Sequence, residues 1–542
     1  MATSLLAVTW KTSRHQHMEQ LSEADRRNPS AALAFVVAFV GTALWFAATW
    51  RYGLDLSDEG FYWYGAQRVL RGEVPLRDFM SYDVGRYYWA AAFMRLAGDG
   101  VLGARLSAAA YQFLGTFAGL WVCLSAFRGR GVSRLVFACV VAAVFTVWSV
   151  PYYKAYDHAT SMIIVAVLLA MLKASTSRVW FGAGVCLGLA AIMGRNHGVY
   201  GAFAVTLFVI VLLFRSTDRR AILSLCAFFA TGVVVGFSPT FVLMTTADGF
   251  YAAFVHSLAK LLKRGETNIP LPVPWPWRSG WKWEGPLWTA LRMSTGFGFV
   301  FLAAMPLVGL FALAYRRFDL NNERNRVLLA ATACAIPYVH YAFARADLTH
   351  LALSIFPSLI VLFSLFADIR PWKTLTLGLG TLSASILTVA SLQAFFAPLT
   401  HARLEQADVD GERLWVYPGV ARKLELASKV LLAPSPGATT AGFLAIPNLQ
   451  SLHAIYRTRM PVWEIYPLSA KNAELEVREI ERLEKSPPGI VLLSDHGLDG
   501  DPRRTLKRMR PRMAAWFSSH YRLAGDGAEY GFSEIKVLAP QR

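Results

Sequence analysis

Charge is scarce in this chain and cysteine scarcer. Only 17% of the 542 residues are Asp, Glu, Lys or Arg, against about a quarter in soluble domains, which excludes an ordinary soluble protein of this length. The five cysteines (Cys123, Cys139, Cys186, Cys226 and Cys334) all lie in or beside apolar runs. That distribution excludes a disulfide framework and a cysteine-type zinc site, and leaves them as small core residues. Acidic residues are fewer than basic ones, 36 against 54, for a net charge of +18. A nucleic-acid partner would need a zinc-finger, basic-zipper or RNA-binding signature, and none is present. No internal repeat is evident. No small-residue cleavage site follows the first apolar run, so that run reads as a retained span rather than a removed signal peptide.

What the chain has in abundance is apolar sequence, 55% of it, in runs that reach the ~20 residues a helix needs to cross a bilayer. Eleven spans are expected, at roughly 31–50, 103–127, 134–151, 158–173, 178–194, 198–214, 221–244, 288–315, 327–343, 351–368 and 374–396. The loops fix an orientation. Alternate connections carry clustered basic residues, such as Arg128, Arg130 and Arg134 or Arg316, Arg317, Arg324 and Arg326, while the opposite turns hold single ones, Lys154, Arg195 and Arg345. By the positive-inside rule the N-terminal tail, residues 1–30, is cytosolic. The chain is thus read as a polytopic α-helical protein. Its Ala- and Arg-rich usage points to a bacterial plasma membrane, where the basic excess also meets anionic lipid.

That orientation puts the polar stretches on one face, outside the cytosol. The loop 51–102 is dense in charge and aromatics, with helices expected at Asp58–Leu70 and Tyr87–Leu96, punctuated by Gly72, Pro75 and Gly85, and lying along the membrane surface. The loop 246–287 pairs an amphipathic piece, FYAAFVHSLAKLL, with a Pro/Trp-rich run suited to a headgroup layer, a sugar-stacking wall or a lid. The tail, 397–542, is charged. It is read as a small extracytoplasmic α/β domain, with strand-like runs ARKLELASKVLLAP, GIVLLSD and FSEIKVLAP and a helix over 470–485. It shows no glycine-rich phosphate loop and no Ser/His/Asp arrangement.

Polar residues beside spans are costly, and they mark functional cavities. Asp58 and Glu59 follow the first span; a carboxylate there serves as general base, metal ligand or half of an ion pair, or caps the helix that Ser57-Asp58 would begin. Asp157, in Tyr156-Asp157-His158, is too deep for a surface charge. Its plainer role is a salt bridge to Lys154 or Arg86, and with Asp58 and His158 it makes the one candidate set for a divalent metal. In Arg345-Ala346-Asp347-Leu348-Thr349-His350, the arginine suits a two-pronged grip on phosphate oxygens and the histidine can donate to a leaving group. Asp347 would orient either one, or simply pair with Arg345. Arg195-Asn196-His197 is a weaker polar turn. Arg86 is a phosphate contact or a snorkelling anchor.

Taken together, SDEGFYWYGAQRVLRGEVPLRDF after the first span, SYDVGRYYWAAAF, the Asp at the third-to-fourth span junction, RADLTHL and the soluble tail resemble the GT-C superfamily of integral-membrane glycosyltransferases, of the protein mannosyltransferase and aminoarabinose transferase kind. The resemblance implies transfer of a sugar from a polyprenyl-phosphate donor to a lipid, glycan or protein acceptor on the outer face, with inversion. It implies Asp58 as base for the acceptor hydroxyl and Asp157 as the family's second outer Asp, while Glu59, beside Asp58, is a further candidate catalytic carboxylate from its position alone. Arg86, Arg345 and His350 would contact the donor phosphate, supported by Asp347, Arg195 and His197. The usual Lys-Pro-Pro or Pro-Pro-Gly context around Arg86 is absent. No cofactor is implied beyond a possible divalent metal, and no nucleic-acid partner. The rival readings are a flippase for a lipid-linked glycan, disfavoured because the polar residues sit at span ends with no repeated halves, and a non-catalytic assembly protein.

Overall fold

The computed structural model describes residues 29–215, 217–264, 269–278, 285–367, 370–432, 442–467 and 472–541. Nearly all of the expected cytosolic tail, 1–28, lies outside the described residues, as do the end of the Pro/Trp-rich run, 279–284, and the first two positions of the expected helix at 470–485. The membrane part comprises α1 (Pro29–Thr49), α2 (Asp58–Leu70), α3 (Val84–Ala97), α4 (Val101–Ala126), α5 (Gly131–Trp148), α6 (Ala155–Lys173), α7 (Ser177–Met193), α8 (Arg195–Arg215), α9 (Arg219–Thr246), α10 (Phe250–Arg264), α11 (Pro286–Tyr315), α12 (Glu323–Ala344), α13 (Leu348–Ser354), α14 (Phe356–Phe366) and α15 (Pro371–Val389).

Among the described residues nine helices are long and apolar enough to cross a membrane, or ten if α13 and α14 count as one bent span. Two of the eleven expected spans are therefore not simple crossings. The run at 351–368 breaks into α13 and α14, bent by 56°. Pro357 explains it, because it has no N–H for the preceding turn and its ring crowds that turn's carbonyl. The run at 178–194 becomes α7, a helix of 17 residues, about 25 Å long at 1.5 Å per residue and shorter than a typical ~30 Å hydrocarbon core. It is held by backbone contact. A Cβ on Gly184 would stand 2.0 Å from the Phe229 carbonyl oxygen, and one on Gly232 of α9 would stand 2.1 Å from that of Phe181. Small residues four apart on both helices let the two backbones touch, the usual device for membrane helices.

The tail holds a hairpin, β1 (Glu405–Val409) and β2 (Glu412–Val416), and then a four-stranded sheet of β3 (Phe443–Ile446), β4 (Ile490–Ser494), β5 (Tyr521–Gly527) and β6 (Phe532–Pro540). The sheet order is β3-β4-β6-β5, with β3 and β4 parallel and the other pairs antiparallel. Helices α16 (Pro418–Leu432), α17 (Gln450–Ile455), α18 (Ala473–Lys485), α19 (Leu506–Met509) and α20 (Pro511–His520) complete it. The run ARKLELASKVLLAP, expected as a strand, is α16. Leu424 and Ala427 are buried and Val420 and Leu431 half-buried, a spacing of four, three and four that only a helix puts on one face.

The first loop helix is not surface-lying, whereas α3 keeps an exposed face that includes Tyr88 and Leu96. Every residue of α2 from Glu59 to Arg68 is buried, because the helix is clasped between the spans and the tail. Phe61, Tyr64, Phe79 and Tyr87 share one apolar core with Leu444, Leu452, Ile465 and Leu538 of the tail. A Cβ on Gly60 would lie 2.1 Å from the Ser451 backbone nitrogen. The Tyr64 hydroxyl accepts from the Met460 N–H at 2.7 Å, and the Gly53 N–H donates to the Trp415 carbonyl while the Trp415 N–H donates to the Arg51 carbonyl, both at 2.7 Å. The first loop and the tail are one packed unit.

Candidate active site

Between that unit and the adjacent ends of the spans lies a cavity of about 1090 Å³. Asp58, Arg86, Asp157, Arg195, His197, Arg345, Asp347 and His350 all line it, although the sequence spreads them over almost three hundred positions. Glu59 and His158 do not.

Asp58 sits at the first turn of α2. Ser57 stands at the N-cap position but makes no side-chain cap hydrogen bond. The cap comes instead from Asp55, a residue that sequence reasoning passed over. Its Oδ1 accepts from the backbone N–H groups of Ser57 and Asp58 and from the Ser57 hydroxyl, each at 2.8 Å, and its Oδ2 accepts from the Tyr153 hydroxyl at 2.9 Å. An aspartate three residues before the first acidic residue of an expected helix was the available signal. Burial, and after it the charge of Asp58, pushes the Asp55 carboxyl above the usual carboxylate range. Lys154 Nζ is 3.1 Å from Asp58 Oδ2. From the tail, Tyr466 also lines the cavity; burial first, and then the Asp58 charge, raises its phenol well above the ordinary value.

The neighbouring Glu59 faces the other way. Its carboxylate takes Arg105 Nε at 2.8 Å on Oε1 and Nη2 at 3.1 Å on Oε2, and its Oε2 also accepts from the Asp55 N–H at 3.2 Å. Both side chains of the pair are 1% exposed. Arg105 continues to the carbonyls of Gly53, at 2.7 Å, and Trp50. Glu59 is thus a buried tie between the first loop and α4, and its expected place beside the reacting groups is corrected: the helix turns adjacent residues by about 100°, so only one of the two can face the cavity.

Asp157 stands at the head of α6, 5% exposed. Its Oδ1 meets His197 Nε2 at 3.0 Å and the Tyr341 hydroxyl at 3.1 Å, and Arg86 Nη1 is 3.7 Å from its Oδ2. His197 reaches on through Nδ1 to the Tyr338 hydroxyl at 2.6 Å. Arg86, rather than Lys154, is therefore the partner of Asp157. The Arg86 Nε and Nη2 both donate to the Met193 carbonyl, at 3.1 and 2.9 Å, which satisfies the open C-terminal end of α7. Burial pulls the Arg86 guanidinium down, but Asp157 and Asp83 outweigh it and hold it above its ordinary value.

Arg345 Nε donates to Asp347 Oδ2 at 2.7 Å, and His350 Nδ1 and the His350 backbone N–H both approach Asp347 Oδ1 at 2.8 Å. One carboxylate thus caps α13 and orients a guanidinium and an imidazole together. Burial raises the Asp347 carboxyl, yet the His350 bonds and charge, with Arg345, hold it down at about 2. Arg195 is tied to Asp83 at 2.6 Å and to the Ser257 hydroxyl of α10 at 2.9 Å, which fastens the second loop to the first.

The possible metal set of Asp58, Asp157 and His158 does not assemble. The His158 Nε2 faces the Val150 carbonyl oxygen at 3.0 Å, both Asp157 oxygens have protein partners, and no group of three or more His, Cys, Asp or Glu placed to hold a metal occurs among the described residues. As placed, these three residues do not fit a divalent ion, and no step below is routed through one.

Polytopic helices, a charged cavity at their ends and a packed α/β tail define an architecture that comparison with solved structures identifies. The chain shares its fold with a solved structure at low sequence identity. A crystal structure of ArnT from Cupriavidus metallidurans in the apo state superposes with a TM-score of 0.51 at 14% identity, covering 94% of this chain and 98% of that one. A crystal structure of the Archaeoglobus fulgidus oligosaccharyltransferase in complex with Zn and sulfate gives a TM-score of 0.42 at 12% identity, over 85% of this chain and 67% of that one. No family model and no curated protein matches the sequence.

Proposed function

We propose that the protein is an integral-membrane glycosyltransferase of a bacterial inner membrane, with the cavity and the tail on the extracytoplasmic side. It moves a sugar from a polyprenyl-phosphate donor to a hydroxyl of a lipid, glycan or protein acceptor. The observation that supports this best is the convergence of two carboxylates, Asp58 and Asp157, with Arg345, His350 and Lys154 on one cavity.

Each group has a task. Asp58 accepts the proton of the acceptor hydroxyl as its oxygen bonds to the anomeric carbon, oriented by Lys154 at 3.1 Å. The bond from that carbon to the phosphate oxygen breaks on the opposite face, and its electron pair leaves with the polyprenyl phosphate. Negative charge then grows on the phosphate, where Arg345 and His350, both steadied by Asp347, donate to it. The prenyl chain enters sideways from the bilayer. Arg86 has a different part from the expected phosphate grip: its N–H groups are committed to Met193 and Asp157, so it fixes Asp157 rather than reaching for substrate. Asp157 in turn carries His197 and Tyr341 as a rigid wall.

The test is complementation of a deletion strain, with mass spectrometry of envelope lipids and glycans. The deletion loses one sugar modification, the wild-type gene restores it, and Asp58→Asn does not, a fall of about 10²–10⁴ in transfer being the usual cost of losing a general base. Restoration to wild-type level by Asp58→Asn, or no glycan lost in the deletion strain, refutes the reading.

A further inference from the structure

The cavity's charges are unevenly compensated. On the membrane side each cation faces a carboxylate: Lys154 with Asp58, Arg86 with Asp157, Arg195 with Asp83 and Arg345 with Asp347. On the tail side three cations line the same cavity without one. Arg478 projects from α18 and Arg508 from α19, and both are exposed; Lys423 of α16 lies half-buried over the Phe532 ring at 4.8 Å. None of these three makes a salt bridge among the described residues, although the charge of Glu534 acts on Lys423. They come from three separate elements of the tail, and Arg508 lies in a basic run, 503–512, whose Arg503 and Arg504 also line the cavity but are paired with Asp501.

A cavity with a neutralised floor and an uncompensated cationic wall attracts an anion to the wall. We propose that Arg478, Arg508 and Lys423 form an acceptor subsite that binds an oxyanion of phosphate type carried by the acceptor molecule, holding it so that the acceptor hydroxyl meets Asp58. The arginine forks suit that group, and exposure keeps them available to it. The inference rests on the transferase reading above, in which the carrier phosphate is served from the membrane side by Arg345 and His350.

The same chemistry is present in the carrier, so the experiment separates the two sources. Detergent-purified full-length protein is titrated at low salt with inorganic phosphate and, separately, with undecaprenyl phosphate. The variants are Arg478→Glu with Arg508→Glu, and the charge-conserving Arg478→Lys with Arg508→Lys. The expected result is at least a tenfold loss of inorganic phosphate affinity in the Glu pair, near-native affinity in the Lys pair, and undecaprenyl phosphate binding within twofold of wild type in both. Unchanged phosphate affinity in the Glu pair overturns the subsite. An equal loss of undecaprenyl phosphate affinity also overturns it, assigning these cations to the carrier instead. Neither titration involves sugar transfer, so a negative result leaves the transferase reading standing, and failure of the glycan complementation does not touch the titration.

Discussion

Asp58 and Glu59 are adjacent but differently placed, Asp58 on the cavity and Glu59 against Arg105, and separating them is the sharpest check on the proposed reading. The Glu59–Arg105 pair is 1% exposed on both sides. Arg105→Ala leaves a buried carboxylate facing no cation and the Trp50 and Gly53 carbonyls without their donor. Removing one member of such a pair costs about 3–5 kcal/mol, or roughly a hundred- to several-thousand-fold in the folding equilibrium. The Asp58–Lys154 pair is looser, 26% and 16% exposed, and pairs of that kind contribute about 0–1 kcal/mol. The assay is the surviving folded fraction of detergent-solubilised protein after graded heating, read by size-exclusion chromatography, with glycan complementation run in parallel. Arg105→Ala should unfold many degrees earlier and lose activity in proportion to the folded protein lost. Asp58→Asn should melt within a few degrees of wild type yet be inactive. If Asp58→Asn melts like Arg105→Ala, or Arg105→Ala melts like wild type, the division of labour between the two carboxylates is wrong.

Other perturbations probe other parts. His197→Phe strands the Tyr338 hydroxyl and removes a partner of Asp157; it should destabilise by about 1–3 kcal/mol and lower transfer further than its melting loss explains. Gly60→Ala forces a methyl group against the Ser451 backbone, an overpacking of about 1–3 kcal/mol, and limited proteolysis should then release the tail sooner than in wild type. Asp347 has a depressed carboxyl, about 2 in the fold against an ordinary value of about 3.9, so its contribution is present above about pH 4 and lost as pH falls towards 2. Asp347→Ala should therefore reduce stability at pH 7 and flatten the acid limb of a melting-against-pH curve; an unaltered limb would speak against the cap.

Much of this architecture was written locally in the chain. Apolar run length announced the spans, and the helix at Asp58–Leu70 falls where its turn residues put it. The polar span-end residues Asp157, Arg345 and His350 proved to line one cavity, because a charge beside a membrane has few other places to go. What local pattern could not give was direction and partnership. Nothing in Ser57-Asp58-Glu59 says which carboxylate turns to Arg105, 46 residues on. The cap on α2 comes from a side chain just outside the helix. ARKLELASKVLLAP carries both periodicities, and packing chose the helical one. The tail's share of the cavity was invisible because Lys423, Arg478 and Arg508 are far apart in sequence and acquire common meaning only when the sheet assembles.

The clasp between the first loop and the tail has a consequence in time. Ser451 Oγ donates to the Asp55 carbonyl across 396 residues of chain, and its backbone N–H bonds to the Leu56 carbonyl beside it. At about 5–20 residues per second of synthesis, the segment bearing Asp58 waits roughly 20–80 s after emerging before the segment that encloses it exists. Until then α2, buried along nearly its whole length in the finished protein, has only the spans to shelter it. A nascent chain therefore holds Asp58 without the tail's part of the cavity wall, and a premature stop between the last membrane helix and the tail leaves the membrane helices around an unfinished chamber.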